Sequence, residues 1–326
     1  MASTGPIEFI APTSRAMGRM TTILFRPFEI GKWCAIGFTA WLATLLDQCS
    51  QGGGNYSGGN FSEQEQEALK EEFQPAIDWA NENMELLIGI GSGVLLLILV
   101  LAVVITWVSS RGKLMFLDNV VHNRGLVSEP WKEFRSEGNS LFRWNLLINL
   151  LGSILVLGIV GVAGWLLYVN FPGETPTTGW ILGVVGAVVV LLLVMVVLAY
   201  FKTLLENFVV PTMYKHRVDG TVAWKSVLAL HGTRPASFVL FFLWNFLIGI
   251  GVAAVLFLFM LLTCCIGGLL LAIPYVGAVL MLPLTVFLRA LGPEFFRQFG
   301  PEYDLWENPL DPFGFEGGPP PIPRKF

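Results

Sequence analysis

The longest apolar stretch of the chain lies between Arg234 and Arg289, where fifty-four consecutive residues include no Asp, Glu, Lys, Arg or His. A helix of that length would measure roughly 80 Å at about 1.5 Å per residue, whereas the hydrocarbon core of a bilayer is about 30 Å thick. The stretch therefore predicts two membrane crossings. Its polar and glycine-rich interruption, residues 263–268, is the predicted turn between them.

Four further apolar segments have the same character, and polar or basic loops separate them. The composition agrees, because only 13% of the residues are charged whereas a soluble domain has about 25%. We predict an all-α integral membrane bundle of six transmembrane helices. The predicted crossings cover residues 30–46, 86–107, 144–169, 180–200, 237–262 and 269–288.

The basic residues divide unequally between the two sides of such a bundle. If the amino terminus is cytoplasmic, 19 of the 20 Lys and Arg residues fall on the cytoplasmic side, and only Lys70 falls outside. By the positive-inside rule this predicts a multi-pass protein of the cell (inner) membrane with both termini in the cytoplasm. The predicted domains are a cytoplasmic segment at 1–28, a membrane domain at 29–291 with an acidic extracytoplasmic loop at 49–85, and a Pro/Gly-rich cytoplasmic tail at 292–326.

An amphipathic pattern precedes the first predicted crossing. Its apolar stripe recurs at the spacing of one helix face, and Arg15 and Arg19 lie off that stripe. The stripe consists of Met17, Met20, Thr21 and Leu24. Short apolar stripes also precede the third and fifth crossings, at 131–134 and 224–228. We therefore expect three helical hairpins, each entered through an amphipathic helix at the cytoplasmic interface.

The two basic loops share an order of landmarks that indicates a degenerate internal repeat. The first loop and the crossing after it contain, in order, Lys113, Asp118-Asn119-Val120-Val121, Trp131-Lys132 and Trp144-Asn145. The second set contains Lys202, Glu206-Asn207-Phe208-Val209-Val210, Trp224-Lys225 and Trp244-Asn245. The spacings differ by a few residues. The repeat favours an architecture built from similar hairpins.

Three motifs accompany the pattern of surface helix and crossing, namely Phe25-Arg26-Pro27-Phe28, Trp131-Lys132 and Phe299-Gly300-Pro301-Glu302-Tyr303. With them, most of the chain resembles a group of uncharacterised bacterial multi-pass membrane proteins. It is similar more distantly to the membrane domain found beside glycerophosphoryl diester phosphodiesterases. No stretch of the chain matches the catalytic barrel of those enzymes, so the resemblance implies a location rather than an activity.

Polar groups inside the predicted crossings are few and almost all neutral. Asn145 and Asn149 lie four residues apart, and they and Asn245 have two interpretations, interhelical hydrogen bonding or a substrate site. Pro274 and Pro283 fall inside the sixth crossing, where they predict kinks that serve either helix packing or a hinge or pore element. Apart from ionisable groups at the ends of the first crossing, the spans lack the acids and bases of proton relays.

Cysteine and histidine chemistry is weakly indicated. Cys49, Cys264 and Cys265 are all predicted on the non-cytoplasmic side, so Cys49 either forms a disulfide with one of the other two or all three pack as apolar residues. Asp118 and His122 have the spacing of metal ligands, but we interpret them as solvated loop residues. We assign no catalytic, metal or cofactor site.

These observations favour a non-enzymatic membrane scaffold or lipid-associated protein. Its basic face would contact anionic lipid headgroups, and no nucleic-acid partner is expected. Protein partners are not identified by any motif. The alternative is a passive channel or transporter of a neutral or amphipathic solute that uses the kinked sixth helix. An integral membrane enzyme ranks third, because no acid–base pair or metal cluster is found at membrane depth.

Overall fold

The computed structural model describes residues 7–51, 74–75, 78–79, 81–169, 178–263 and 266–306. Within these ranges the chain is helical, with 90% of residues in helices and no strands. The helices are α1 (Ile10–Phe25), α2 (Ile30–Gln51), α3 (Met84–Val121), α4 (Ser128–Glu133), α5 (Arg135–Val169), α6 (Thr178–Leu204), α7 (Val210–His216), α8 (Gly220–Thr233), α9 (Pro235–Leu262), α10 (Ile266–Ala272), α11 (Pro274–Leu280) and α12 (Leu282–Phe296). A π-helical turn, Leu205–Val209, joins α6 to α7.

Four of these helical stretches are long and apolar enough to cross a bilayer. They are Met84–Val121, Arg135–Leu166, Thr178–His216 and Pro235–Leu262. Their most apolar parts are exposed, as expected of side chains that face lipid rather than protein. The apolar part of α2, Ile30–Leu46, is shorter. The structure thus confirms an all-helical protein with membrane-length helices, whereas the six crossings and the hairpin arrangement stay predictions.

The sixth predicted crossing is divided among three helices, α10, α11 and α12. Pro274 and Pro283 each lie in the first turn of one of these helices. Proline suits that position, because the first backbone N–H groups of a helix have no partner inside the helix. The backbone of Gly277 in α11 approaches the carbonyl oxygen of Leu271 so closely that an added Cβ would lie 2.3 Å from it. Helices α10 and α11 therefore contact each other closely at this point.

The helices that contain the second and fourth predicted crossings extend well into the predicted basic loops. The first of them, α3, runs to Val121, and residues 109–120 of it are buried. Next, α6 passes through the π-helical turn into α7, which ends at His216. A 38-residue helix such as α3 is about 57 Å long, so it extends beyond the hydrocarbon core of about 30 Å.

The buried core lies where the long helices extend into the predicted basic loops. Its centre is a group of phenylalanine rings, in which Phe208 lies 4.8 Å from Phe238 and 5.1 Å from Phe241 between ring centroids. Phe241 in turn lies 4.5 Å from Phe295. Aromatic rings at these distances combine a large buried area with favourable edge and offset contacts. The core therefore links the π-helical turn, α9 and α12.

Helix α1 packs against α12 with a face that differs from the predicted stripe. The buried face includes Ala16, Met20 and Leu24, but it also includes Arg19. Met17 is 46% exposed. The expectation that Arg19 lies off the buried face is therefore wrong, because a carboxylate on α12 compensates its charge.

Candidate functional site

Three buried or partly buried carboxylates lie near the core, namely Asp118 on α3, Glu206 in the π-helical turn and Glu294 on α12. We call these carboxylates and their cationic partners the charged layer. Each carboxylate lies at or just beyond the end of a long helix or helical segment. Buried charges are tolerated only where they are paired and hydrogen-bonded.

Asp118 is 1% exposed and has four hydrogen-bond donors around it. Arg124 donates to Oδ2 from Nε at 3.2 Å and from Nη2 at 2.9 Å. The hydroxyl of Tyr214 donates to Oδ1 at 3.0 Å, and Nδ1 of His122 lies 3.0 Å from the same oxygen. The interpretation of Asp118 and His122 as solvated loop residues is wrong: Asp118 is buried within α3 and covered by Tyr214 of α7, and His122, directly after the end of α3 at Val121, is partly buried against it.

The same contact alters the acidity of His122. Its hydrogen bond with the Asp118 carboxylate raises the pKa of the imidazole, and this effect outweighs the opposing effect of burial. Arg124 lies close enough to oppose the charge on His122 as well. The geometry therefore favours a protonated imidazole in the folded protein.

Glu206 lies in the π-helical turn, and Lys113 on α3 donates to its Oε1 at 2.6 Å. The Lys113 side chain is only 4% exposed. Arg289 on α12 crosses to the same place, where its Nη2 donates to the carbonyl oxygen of Lys113 at 2.8 Å. These contacts connect α3, the π-helical turn and α12. Single π-helical turns often occur at functional sites, which makes this cluster a candidate.

Glu294 is fully buried, and α1 supplies two of its partners. Nε of Arg15 donates to Oε2 at 2.9 Å, and Nε of Arg19 donates to Oε1. The Arg19 guanidinium also lies 3.6 Å from the centre of the Trp306 ring, so the segment after α12 folds back over the pair. Burial lowers the pKa of Arg19, and the Glu294 carboxylate opposes that effect.

The three carboxylates are evenly spaced in the chain. Glu206 follows Asp118 by 88 positions, and Glu294 follows Glu206 by 88 positions. The even spacing extends the repeat seen in the two basic loops to a third unit. Sequence reasoning aligned Asp118 with Glu206 but missed Glu294, and this interval was the signal that could have found it. Lys113, Arg15 and Arg19 were missed as partners because they pair across distant parts of the chain.

The predicted asparagine positions lie in different environments. Asn145 is buried, and its Nδ2 donates to Oγ of Ser110 on α3 at 3.0 Å. Asn149 is exposed, and Asn245 is half-buried. The structure does not bring the three together into one polar site. A substrate role for any of them remains an untested hypothesis, as do the hinge or pore roles of Pro274 and Pro283.

The proposed disulfide cannot be placed. Cys264, Cys265 and the side chain of Cys49 lie outside the described residues. Cys34 is a free, exposed cysteine on α2. Across the part of the chain that the structure describes, no group of three or more His, Cys, Asp or Glu side chains is arranged to hold a metal ion.

Fold and site together define a class, an all-helical protein with several helices of membrane length and an ion-paired layer at one end. The chain belongs to DUF7544, a family of unknown function whose model matches residues 10–296. No curated protein and no solved structure matches it. Membership of an uncharacterised family is therefore shown. The comparisons give no support to similarity with the membrane domain of glycerophosphoryl diester phosphodiesterases, and bacterial origin stays a prediction.

Proposed function

We propose that this protein is a multi-pass protein of the cell (inner) membrane that acts as a non-enzymatic scaffold or lipid-associated protein. Six crossings in three hairpins place both termini and the charged layer in the cytoplasm. The observation that carries the proposal is the contrast along the helices: their apolar parts are exposed, whereas ion pairs and packed aromatic rings gather at one end. Such a molecule presents a rigid face at the level of the lipid headgroups.

The distribution of charge supports a lipid role for this face. The positive-inside rule places basic residues beside the anionic cytoplasmic leaflet, where each exposed Lys or Arg contributes about 1 kcal/mol of attraction. Helix α1 exposes Phe25, and Phe28 and Ile30 follow it as exposed apolar residues beside the first crossing. Apolar side chains in that position are typical of helices that lie in the membrane interface.

Lipid retention tests the function directly. The full chain is purified in a mild detergent from a membrane of known composition, and the retained lipid is measured by mass spectrometry. We expect phosphatidylglycerol or another anionic lipid to be enriched over its fraction in the membrane. Equal retention of zwitterionic and anionic lipid would contradict the lipid-associated role.

Tags on the two termini, digested by protease in sealed inverted vesicles, test the orientation, and we expect both to be cleaved.

A second candidate is a passive channel or transporter of a neutral or amphipathic solute. The division of the sixth predicted crossing into α10, α11 and α12 favours it, because discontinuous helices form the binding sites of many transporters. Release of a neutral fluorescent solute from liposomes that contain the protein would support this alternative. A release rate equal to that of empty liposomes would exclude it for that solute.

A further inference from the structure

Arg111 on α3 is a buried cation whose partners differ from those of the other buried cations. The residue is 6% exposed, and its guanidinium lies 4.3 Å from the centre of the Trp107 ring and 5.0 Å from that of Trp131. Its Nη2 donates to Oδ1 of Asn139 at 2.9 Å, and Trp107 donates to the same oxygen. Its Nε is buried without a hydrogen-bond partner.

No carboxylate compensates this charge within the described residues. Arg19 and Lys113, which are buried to a similar extent, each form an ion pair with a glutamate. Arg111 forms none, and the charged group that acts on it is another cation, Arg135. Burial of an uncompensated charge is unfavourable, so this arrangement calls for an anion from outside the described chain.

Basic side chains also lie on the surface near Arg111, and the glutamates among them, Glu133 and Glu137, are paired with Arg217. Arg135, Asn139 and Arg143 recur every four residues on α5 and are exposed, so they share one face of that helix. Lys132, just before them, is exposed too. Neither Lys132, Arg135 nor Arg143 forms an ion pair with any residue in the described ranges. Arg135 is also the first residue of α5.

We propose that Arg111 and Arg135 bind a phosphate group, and that the headgroup of an anionic phospholipid supplies it. Trp107 and Trp131 are both partly exposed, as is typical of tryptophans at the membrane–water interface. Planar guanidinium groups match the geometry of phosphate oxygens. This proposal rests on the proposed lipid association and identifies its site.

The variants that test the site are Arg135→Gln, Arg111→Gln and the double substitution. Arg135 is exposed, so its replacement preserves the fold even if replacement of Arg111 does not. Lys225→Gln is the matched control, because Lys225 is exposed and follows Trp224 as Lys132 follows Trp131 in the repeat. Each full-length protein is titrated with phosphatidylglycerol in detergent micelles, and the bound lipid is counted by native mass spectrometry.

We expect the Arg135→Gln variant and the double variant to bind phosphatidylglycerol at least fivefold more weakly than Lys225→Gln, which loses only the general attraction of one exposed cation. Titration with inorganic phosphate in lipid-free micelles, followed by tryptophan fluorescence, distinguishes the two sources. Phosphate binding that Arg135→Gln abolishes, without lipid binding, would support the site but contradict the lipid function. Anionic lipid bound equally by wild type and variants would support the function and overturn the site. Absence of both signals would overturn both.

Discussion

Replacement of Glu294 by Gln removes the carboxylate that forms ion pairs with two arginines of α1. The Glu294 side chain is fully buried and that of Arg19 is 8% exposed, whereas the Arg15 side chain is 28% exposed. Arg15 can turn toward water when the carboxylate is lost, but Arg19 would remain as a buried, unpaired cation. Removal of one partner of a buried ion pair costs about 3–5 kcal/mol. Because Gln preserves the shape and one acceptor oxygen, we expect a loss at the lower end, about 3 kcal/mol.

The loss is measured by titrating the protein with SDS in mixed micelles and following tryptophan fluorescence, to which Trp306 beside Arg19 contributes. Glu302→Gln serves as the control, since Glu302 is exposed, and a surface change of this kind alters stability by at most about 0.5 kcal/mol. The double variant Glu294→Gln with Arg19→Met removes the unpaired charge and is expected to be more stable than Glu294→Gln alone. Equal unfolding midpoints for Glu294→Gln and the wild type would refute this account of how α1 is held.

Three further changes test the charged layer and the core by the same titration. The hydrogen bond to the Asp118 carboxylate raises the pKa of His122. The contribution of His122 to stability is therefore complete below the ordinary pKa of about 6.5 and is lost as the pH rises through the raised pKa. The stability difference between wild type and His122→Gln should shrink with rising pH, and a constant difference would contradict this prediction. An added Cβ at Gly112 would lie 2.7 Å from the backbone of α2, so Gly112→Ala should lower the free energy of unfolding by about 1–3 kcal/mol. A Cβ added at Gly91 would meet no atom within 4 Å, so Gly91→Ala should leave the free energy of unfolding unchanged. Phe208→Ala should lower the free energy of unfolding by about 3–5 kcal/mol. Leu192→Ala, at a side chain that is 59% exposed, should lower it by less than about 1 kcal/mol.

The sequence predicted the membrane-length helices because the length and hydrophobicity of a span are local properties. It could not predict where those helices end. A charged residue on a helix beyond the bilayer resembles a residue in a loop, as Asp118 and His122 did. The last turns of α3 contact α2 and α7, and Lys113 pairs with Glu206 of the π-helical turn, and no local pattern reveals these contacts.

The ion pairs of the candidate site were beyond local reasoning for a related cause. Arg15 and Glu294 are 279 residues apart in the chain, and Lys113 and Glu206 are 93 apart. Arg19 was placed on the polar face of α1 because a charge normally avoids a buried face. Only the fold shows that Glu294 meets it there. The even spacing of the three carboxylates is the one part of this arrangement that the sequence already contained.

The charged layer changes how the excess of basic residues on one side should be understood. Arg15, Arg19, Lys113, Arg124 and Arg297 are all paired with carboxylates of the layer. Their charges hold helices together, and the paired carboxylates neutralise much of their attraction for a membrane surface. The cations without carboxylate partners in the described ranges include Arg111 and the exposed group at the start of α5. Attraction to anionic lipid should therefore be concentrated where α3 meets α5, rather than spread evenly over the basic face.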